Sequence, residues 1–321
     1  MTNMLISEII TLAIFLFIIA AVYILEFCFF AAFAINKFRL KRRTNVLRTK
    51  FAVLVHILAI IGIICFMYGY FVEPYRIEVK IIPIRTEKLK HTSFRVVQIS
   101  DLHCDKKARN EKAVVELVNE LEPDIIVFTG DAVNTPAALP RFKETLNNLR
   151  ARLGKFAVYG NWETRHWKGL DYYSGTGFEL LDLETIELSK NGETLSISGL
   201  NCDHWVNTNI WLQGLPSERY NIFLYHHAAL AKEVKSCNVD LYLCGHTHGG
   251  QVALPFYGAL ITLSETGKKY ESGMYILEKM KLYVNRGIGM EPLPAPQVRF
   301  LARPEISVFD IGPENFSAGE E

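Results

Sequence analysis

Residues 94–131, FRVVQISDLHCDKKARNEKAVVELVNELEPDIIVFTGD, decide the fold. Phe94 to Ser100 (FRVVQIS) and Asp124 to Thr129 (DIIVFT) are short β-branched apolar runs bounded by turn residues. Between them, Asn110 to Leu121 carries apolar residues at helical spacing, so the stretch reads as a β-α-β unit. Runs of the same kind predict strands at Phe156 to Tyr159, Leu195 to Leu200, Asn221 to Tyr225 and Asp240 to Cys244. Met274 to Leu277 with Leu282 to Asn285 predicts a hairpin, and Glu305 to Phe309 a final edge strand. Mixed strands with helices outside them imply a layered α/β sandwich, whose functional groups belong on loops at the carboxyl ends of strands.

Five of these strands end in a candidate metal ligand. FRVVQIS leads into Asp101-Leu102-His103, DIIVFT into Gly130-Asp131, FAVY into Gly160-Asn161, NIFLY into His226, and DLYLC into Gly245-His246-Thr247-His248. Carboxylates and imidazoles with an Asn amide suit borderline to hard divalent ions such as Mn, Fe and Zn, and suit Ca poorly because it disfavours imidazole nitrogen. Strand geometry puts residues two apart on one face, so Asp101 and His103 are expected to reach one ion while Leu102 packs away. His246 and His248 repeat the spacing. Any one of these motifs is unspecific, and a single His is more often a packed structural histidine than a ligand. The ordered set, each member following an apolar strand, is not explained that way.

The set QISDLH, FTGD, YGNWE, LYHH and CGHTHGGQ, with RGIG (Arg286 to Gly289) and RPEI (Arg303 to Ile306), resembles the calcineurin-like metallophosphoesterase family over roughly Phe94 to Asp310. The likeness is greatest to its membrane-associated bacterial branch (YkuE-, YaeI- and LpxG-like). The resemblance implies a four-layer α/β/β/α sandwich and two divalent metal ions. Carried over residue by residue, it places Asp101, His103 and His248 on one ion and Asn161, His226 and His246 on the other, with Asp131 bridging. Asp131, Asn161 and His226 are then the candidate catalytic residues, and Trp162 and Arg286 are candidates for touching substrate. Two such ions about 3.5 to 4 Å apart clamp phosphate oxygens and turn a shared water into a nucleophile near neutral pH.

One position departs from the family pattern. Family members commonly read GNH before the acid, and that His is taken to protonate the leaving oxygen; here the residue is Trp162. Indole has only an N–H donor and no useful pKa. A leaving group that needs no acid is one explanation, because general-acid help of about 10² to 10⁴ matters chiefly for poor leaving groups. UDP-2,3-diacylglucosamine pyrophosphohydrolases of the superfamily also tolerate a non-His residue there, which makes a lipid-linked pyrophosphate the leading substrate class and that UDP-lipid its named example. A neighbouring donor is another explanation, with His166, His204 or His227 as candidates; His227, directly after a ligand, is expected to point away from it. The aromatics Trp162, Trp167, Tyr172 and Tyr173 around His166 read either as a small apolar cluster or as a surface for an acyl chain or nucleobase. Loss of catalysis is the third, opposed by the complete ligand set.

The remainder of the chain reads as a membrane anchor. Met4 to Ile35 carries only Glu8 and Glu26 as charges, and Phe51 to Phe71 none, each long enough to cross about 30 Å of hydrocarbon. The first run lacks the basic start and short apolar core of a signal peptide. Between them KFRLKRRTNVLRTK (Lys37 to Lys50) holds seven basic residues and no acid, which by the positive-inside rule places both outer ends, and the catalytic domain, outside the cytoplasm. A UDP-lipid substrate would instead require a cytoplasmic domain. The resulting division is an anchor over 1–73 with its basic loop at 37–50, a linker over 74–93, the catalytic domain over 94–311 and a polar tail over 312–321. A net charge of +1, from 35 basic and 34 acidic residues, gives no call for nucleic acid. Six cysteines without paired spacing read as reduced, packed thiols, although an extracytoplasmic domain favours disulfides.

Overall fold

The central strands are buried on both faces, and alternate residues on each enter different cores. In the computed structural model, which describes residues 6–41, 45–202, 208–292 and 295–315, the chain opens with α1 (Ile6–Ala34) and α2 (Lys50–Phe71). It continues through β1 (Glu78–Arg85), β2 (Phe94–Ile99), α3 (Glu111–Glu120), β3 (Ile125–Phe128), α4 (Leu139–Asn147), β4 (Gly154–Ala157), β5 (Glu179–Leu180), β6 (Glu184–Lys190) and β7 (Glu193–Gly199). The remaining elements are α5 (Thr208–Gln213), β8 (Tyr220–Leu224), α6 (Ala231–Val234), β9 (Leu241–Cys244), the short β10 (Ala253–Leu254) and β11 (Gly258–Ala259), β12 (Gly273–Leu277), β13 (Met280–Val284) and β14 (Glu305–Gly312). Two six-stranded sheets result, ordered β1-β14-β2-β3-β4-β5 and β12-β13-β9-β8-β7-β6.

Three apolar cores separate four layers. Val97, Ile126 and Phe128 meet Val114 and Val118 of α3 and Phe142 and Leu146 of α4. Their strand neighbours Val96, Ile125 and Val127 face the second sheet, against Ile197, Ile222, Leu224, Leu241 and Leu243. On that sheet's outer side Phe223, Tyr242 and Cys244 pack on Leu212 of α5 and on Ala231 and Val234 of α6. Double-sided burial is why these strands read as unbroken apolar runs and not as alternating ones. Each large apolar side chain so enclosed contributes about 1.5 to 3 kcal/mol. The expected α/β/β/α sandwich is therefore present.

One sequence-based boundary and one strand position need correction. Residues 74–93 are not a linker: β1 lies within them and pairs in parallel with β14 over Glu78↔Glu305 to Arg85↔Gly312, so the domain begins some fifteen residues earlier than the apolar pattern indicated. Its Pro83 and basic residues hid it, and Pro is tolerated there because β1 is an edge strand. Conversely β14 is not an edge strand; it lies between β1 and β2 and is buried along its length. The expected strand at Leu195 to Leu200 has an antiparallel partner, β6, that the sequence did not reveal.

The two apolar helices are long enough to cross a membrane, with mean hydropathy of 2.7 and 2.6. They run antiparallel, as the contacts of Tyr23 with Ala59 (3.1 Å), Glu26 with His56 (2.5 Å) and Phe29 with Phe51 require. Their domain-side ends are fastened to the sandwich. Glu8 of α1 is buried and accepts hydrogen bonds from the Thr262 amide (3.0 Å) and hydroxyl (2.7 Å). At the end of α2, the Arg299 amide donates to the Gly69 carbonyl (2.9 Å), and buried Glu73 accepts from the Ala302 amide (2.6 Å). The basic loop lies at the opposite end of the pair. All six cysteines are free.

Candidate metal centre

The ligand residues do not continue their strands; they turn out of them. β2 ends at Ile99 and β9 at Cys244, and Asp101, His103, Asp131, His246 and His248 all take positive φ, between 40° and 73°. Strand alternation is therefore not what brings Asp101 and His103 together, and the sequence-based reason given for that pair is corrected. Left-handed backbone at a non-glycine residue is costly and persists only where the surroundings hold it, typically at functional sites. Here the loops hold one another: Asp101 N donates to Gly130 O (2.9 Å), His103 N to Asp131 O (3.1 Å), Gly245 N to His226 O (3.0 Å) and Gly289 N to Asp101 O (2.7 Å). Close approach makes Gly130 obligatory, since a Cβ there would lie 2.5 Å from Gly160 N and 2.8 Å from His226 Nδ1.

Six of the seven predicted ligands, Asp101, His103, Asp131, His226, His246 and His248, converge. Asp131 Oδ2 lies 3.1 Å from His226 Nε2 and 3.7 Å from His103 Nε2, so one carboxylate oxygen faces both halves of the site. Asp101 Oδ1 is 3.4 Å from His248 Nε2. Asp101, His103 and His248 form one cluster with ligand atoms close enough to share an ion, and His226, His246 and the unpredicted His227 fall together in another. Among the described residues, six of the sixteen buried side-chain atoms without a hydrogen-bond partner sit on these ligands: His103 Nε2, Asp131 Oδ2, Asn161 Oδ1, His226 Nε2, His246 Nδ1 and His248 Nε2. Orphaned buried polar atoms are costly. Their collection on six of the seven ligands fits two divalent cations. The opposite ring nitrogens are occupied: His103 Nδ1 meets Asn134 Oδ1 (2.7 Å), His226 Nδ1 meets Thr129 O (2.6 Å), and His246 Nε2 meets Leu263 O (3.1 Å). Those contacts would hold each ring, in its neutral form, in the tautomer whose inward nitrogen keeps its lone pair.

The electrostatics tell the same story, since the cluster seeks positive charge. Burial, reinforced by nearby Asp131, pushes the Asp101 carboxyl up to about 7, with His226 opposing. Burial disfavours charge on His226 too, yet the Asp131 carboxylate beside it outweighs that and raises its imidazole to about 10. Asp131 is correspondingly held below the usual carboxylate range, against its burial, by His226 and His103. A proton on His226 thus does part of the work of a cation.

Other predicted residues fall less simply. Trp162 opens a single π-type turn, Trp162–His166; its amide donates to Asp131 Oδ1 (2.9 Å), and its ring stacks on the exposed His166 at 4.3 Å and meets His103 edge-on at 5.6 Å. His227 does not point away as expected: it is buried, lies flat on His246 at 4.1 Å, and is pushed well below the usual imidazole range by burial and by His246 and His226. His204 lies outside the described residues. Tyr172 and Tyr173 belong to the core with Phe142, so neither forms a substrate surface. Arg286 is engaged by two carboxylates, Glu305 (2.6 Å) and Glu78, and ties β1 to β14 instead of presenting its guanidinium to the centre.

Three residues were missed. Glu163, buried, accepts the amides of Asp131 (3.0 Å), Gly160 (2.7 Å) and Ala132 (2.6 Å), and so clamps the Asp131 and Asn161 loops together; the acid of YGNWE was the available signal. Glu291 Oε1 lies 3.9 Å from both His103 Nε2 and His248 Nε2, and burial with Asp131 and Asp101 pushes its carboxyl up to about 8. Asn134 orients His103. Neither Glu291 nor Asn134 sits in a motif.

The calcineurin-like phosphoesterase family matches residues 94–250. The chain is 36% identical over 264 residues to the uncharacterized metallophosphoesterase YkuE of Bacillus subtilis, covering 77% of this chain and 91% of that protein. It is 32% identical over 258 residues to an uncharacterized metallophosphoesterase of Aquifex aeolicus, covering 74% and 93% respectively. With the transmembrane protein with metallophosphoesterase domain of Bos taurus it shares 26% identity over 267 residues, 72% of this chain and 59% of the other.

Proposed function

The chain belongs to the calcineurin-like metallophosphoesterase family, and from that premise we propose that it is a membrane-anchored dinuclear phosphohydrolase acting on a phosphoester or pyrophosphate of a lipid-linked substrate at the bilayer surface. The observation that carries this reading is the short path from ligand to anchor. His248 Nδ1 lies 3.2 Å from Arg299 Nη2, and the Arg299 amide is hydrogen-bonded to Gly69 within α2. A centre held one residue away from an apolar helix suits a substrate that stays in the membrane.

Two bound ions, whether Mn, Fe or Zn, would neutralise phosphate charge and lower the pKa of a shared water. The chain's own groups supply the frame. Asp101, His103 and His248 offer one set of inward atoms and Asn161, His226 and His246 the other, with Asp131 between them. Glu163 fixes the loops that carry Asp131 and Asn161. Trp162 fills the usual acid's position with an indole that cannot protonate an alkoxide, which favours a phosphate or nucleotide leaving group. UDP-2,3-diacylglucosamine is such a substrate if the domain faces the cytoplasm.

The placement of the basic loop at the far end of the helix pair supports a second reading, an exported phosphomonoesterase or phosphodiesterase of broad range. Purified protein with Mn and a panel of UDP-lipid, phosphodiester and phosphomonoester substrates separates the two. Binding of both ions without turnover of any substrate would reject catalysis and leave a metal-binding membrane module. A topology reporter fused after Gly312 assigns the side.

A further inference from the structure

We propose that the β10–β11 hairpin, with Phe256 at its tip, is seated in the bilayer interface and sets the height of the metal centre above the membrane; this rests on the reading of α1 and α2 as spanning helices. The hairpin joins Ala253 and Leu254 to Gly258 and Ala259 through the tip Pro255-Phe256-Tyr257. Phe256 is fully exposed and its backbone is left-handed (φ 63°), so the turn spends conformational strain to hold an aromatic ring away from the protein. A soluble surface gains nothing from that arrangement. A membrane interface does, because aromatic rings are favoured at the boundary of headgroups and hydrocarbon.

The depth follows from a contact with α1. The Tyr257 hydroxyl is hydrogen-bonded to Thr11 Oγ1 at 2.9 Å, five residues or about 8 Å along α1 from its domain-side end at Ile6. The hairpin tip therefore stands beside the second turn of a helix whose remaining surface is apolar and exposed. The matching end of α2 carries Tyr68, Tyr70 and Phe71, with Tyr68 set edge-on against Phe300 at 6.4 Å. Phe300 is joined to the hairpin, since its carbonyl accepts the Ala253 amide (2.8 Å). Aromatic residues from the domain-side end of α2 and from the two adjoining loops thus gather where the helix pair meets the sandwich, as an interfacial belt would.

The belt is wired to the site. His248 is followed within five residues by Ala253, and Gln251 between them accepts the Glu291 amide (2.6 Å) and has its own carbonyl bonded by Phe300 N (2.8 Å). The wall of the metal centre and the membrane wedge are one continuous piece of chain. A lipid headgroup would meet the centre without leaving the interface.

The test is photo-crosslinking of the full chain in vesicles of phosphatidylethanolamine and phosphatidylglycerol. Benzoylphenylalanine replaces one residue at a time: Phe256, Phe17 in the middle of α1 as a membrane reference, or Asn191 in the β6–β7 turn. Asn191 lies at the amino-terminal end of β2, remote from the centre, where His91 contacts its carbonyl. Intact-mass analysis after irradiation is expected to show a shift of one phospholipid at 256 and at 17, and none at 191. An adduct at 17 with none at 256, or an adduct at 256 to protein alone, overturns the hairpin proposal while leaving the helices in the membrane. No lipid adduct at 17 overturns the spanning reading and the proposal with it. Phe256 and Phe17 are exposed and enter no core, and a circular-dichroism melt of each variant, Asn191 included, checks that it folds as the parent does.

Discussion

Replacing Asn134 with leucine removes the acceptor of His103 Nδ1 while keeping a side chain of similar volume. His103 is 1% exposed, so water cannot take the place of the 2.7 Å hydrogen bond that its Nδ1 donates to Asn134 Oδ1. The imidazole then has two options. It keeps its proton on Nδ1 as an orphaned buried donor, at about 1 to 3 kcal/mol, or it moves the proton to Nε2 and withdraws the lone pair that faces the ion. Both penalties fall on metal binding. Loss of such an orienting partner typically costs about 10- to 100-fold in metal affinity, which is about 1.4 to 2.7 kcal/mol and agrees with the orphaned-donor figure. Asn134→Leu is therefore expected to weaken Mn binding by about 10- to 100-fold, read by chelator competition at fixed pH, with the melting temperature of the metal-free protein measured alongside. Asn134→Asp keeps an acceptor and should bind at least as tightly as the parent. Undiminished binding by the leucine variant, or an aspartate variant weaker than the leucine one, would refute the orienting role.

Asp131→Asn should lower the metal content from two ions towards one and abolish turnover, because Oδ2 faces both halves of the centre; elemental analysis showing two ions with full activity rejects Asp131 as the bridge. Trp162→His should raise rates chiefly for substrates with poor leaving groups, by up to about 10² to 10⁴. The Asp131 contact comes from the backbone amide and survives the change, so equal effects on all substrates would count against the leaving-group account. Metal binding should release protons. In the metal-free protein burial and Asp131 raise Asp101 to about 7, burial and the same carboxylates raise Glu291 to about 8, and Asp131 holds His226 at about 10. Ligation needs the deprotonated forms, so affinity should climb as pH rises through 6 to 8, and titration calorimetry at pH 7 in buffers of different ionisation enthalpy should show net proton release. Affinity that falls over this range contradicts the assignment.

The six predicted ligands that the structure brings together were legible because each lies just after an apolar strand whose end is fixed by sheet packing. What the sequence could not show was how the chain leaves the strand. Left-handed φ at Asp101 and His103 depends on hydrogen bonds to residues 130 and 131, and at His246 and His248 on contacts contributed from other segments, none of which has a local pattern. Glu291 and Asn134 escaped for a related reason: a single carboxylate or amide acquires its role only when a distant loop delivers it. β1 was hidden because an edge strand may carry Pro83 and Lys80, so its apolar pattern is diluted.

One more miss concerns the seam between the sandwich and the apolar helices. Read as separate modules, residues 1–73 and 94–311 would place the apolar helices on a tether and leave the site free to meet soluble substrates. Glu8 and Glu73, charged residues on or beside apolar helices, are instead buried in the sandwich and accept its amides. A carboxylate at the end of an apolar helix that is held by the sandwich's amides fixes orientation, because rotation of either part would strand a buried carboxyl group. The apolar helices and the sandwich are thereby joined as one piece. Activity on membrane-borne and on soluble substrates should accordingly separate when Glu73 is changed: Glu73→Gln weakens the Ala302 contact beside Arg299 and is expected to lower turnover of vesicle-borne substrate more than that of a soluble phosphodiester. Equal losses on both would mean that the seam serves only to hold the fold.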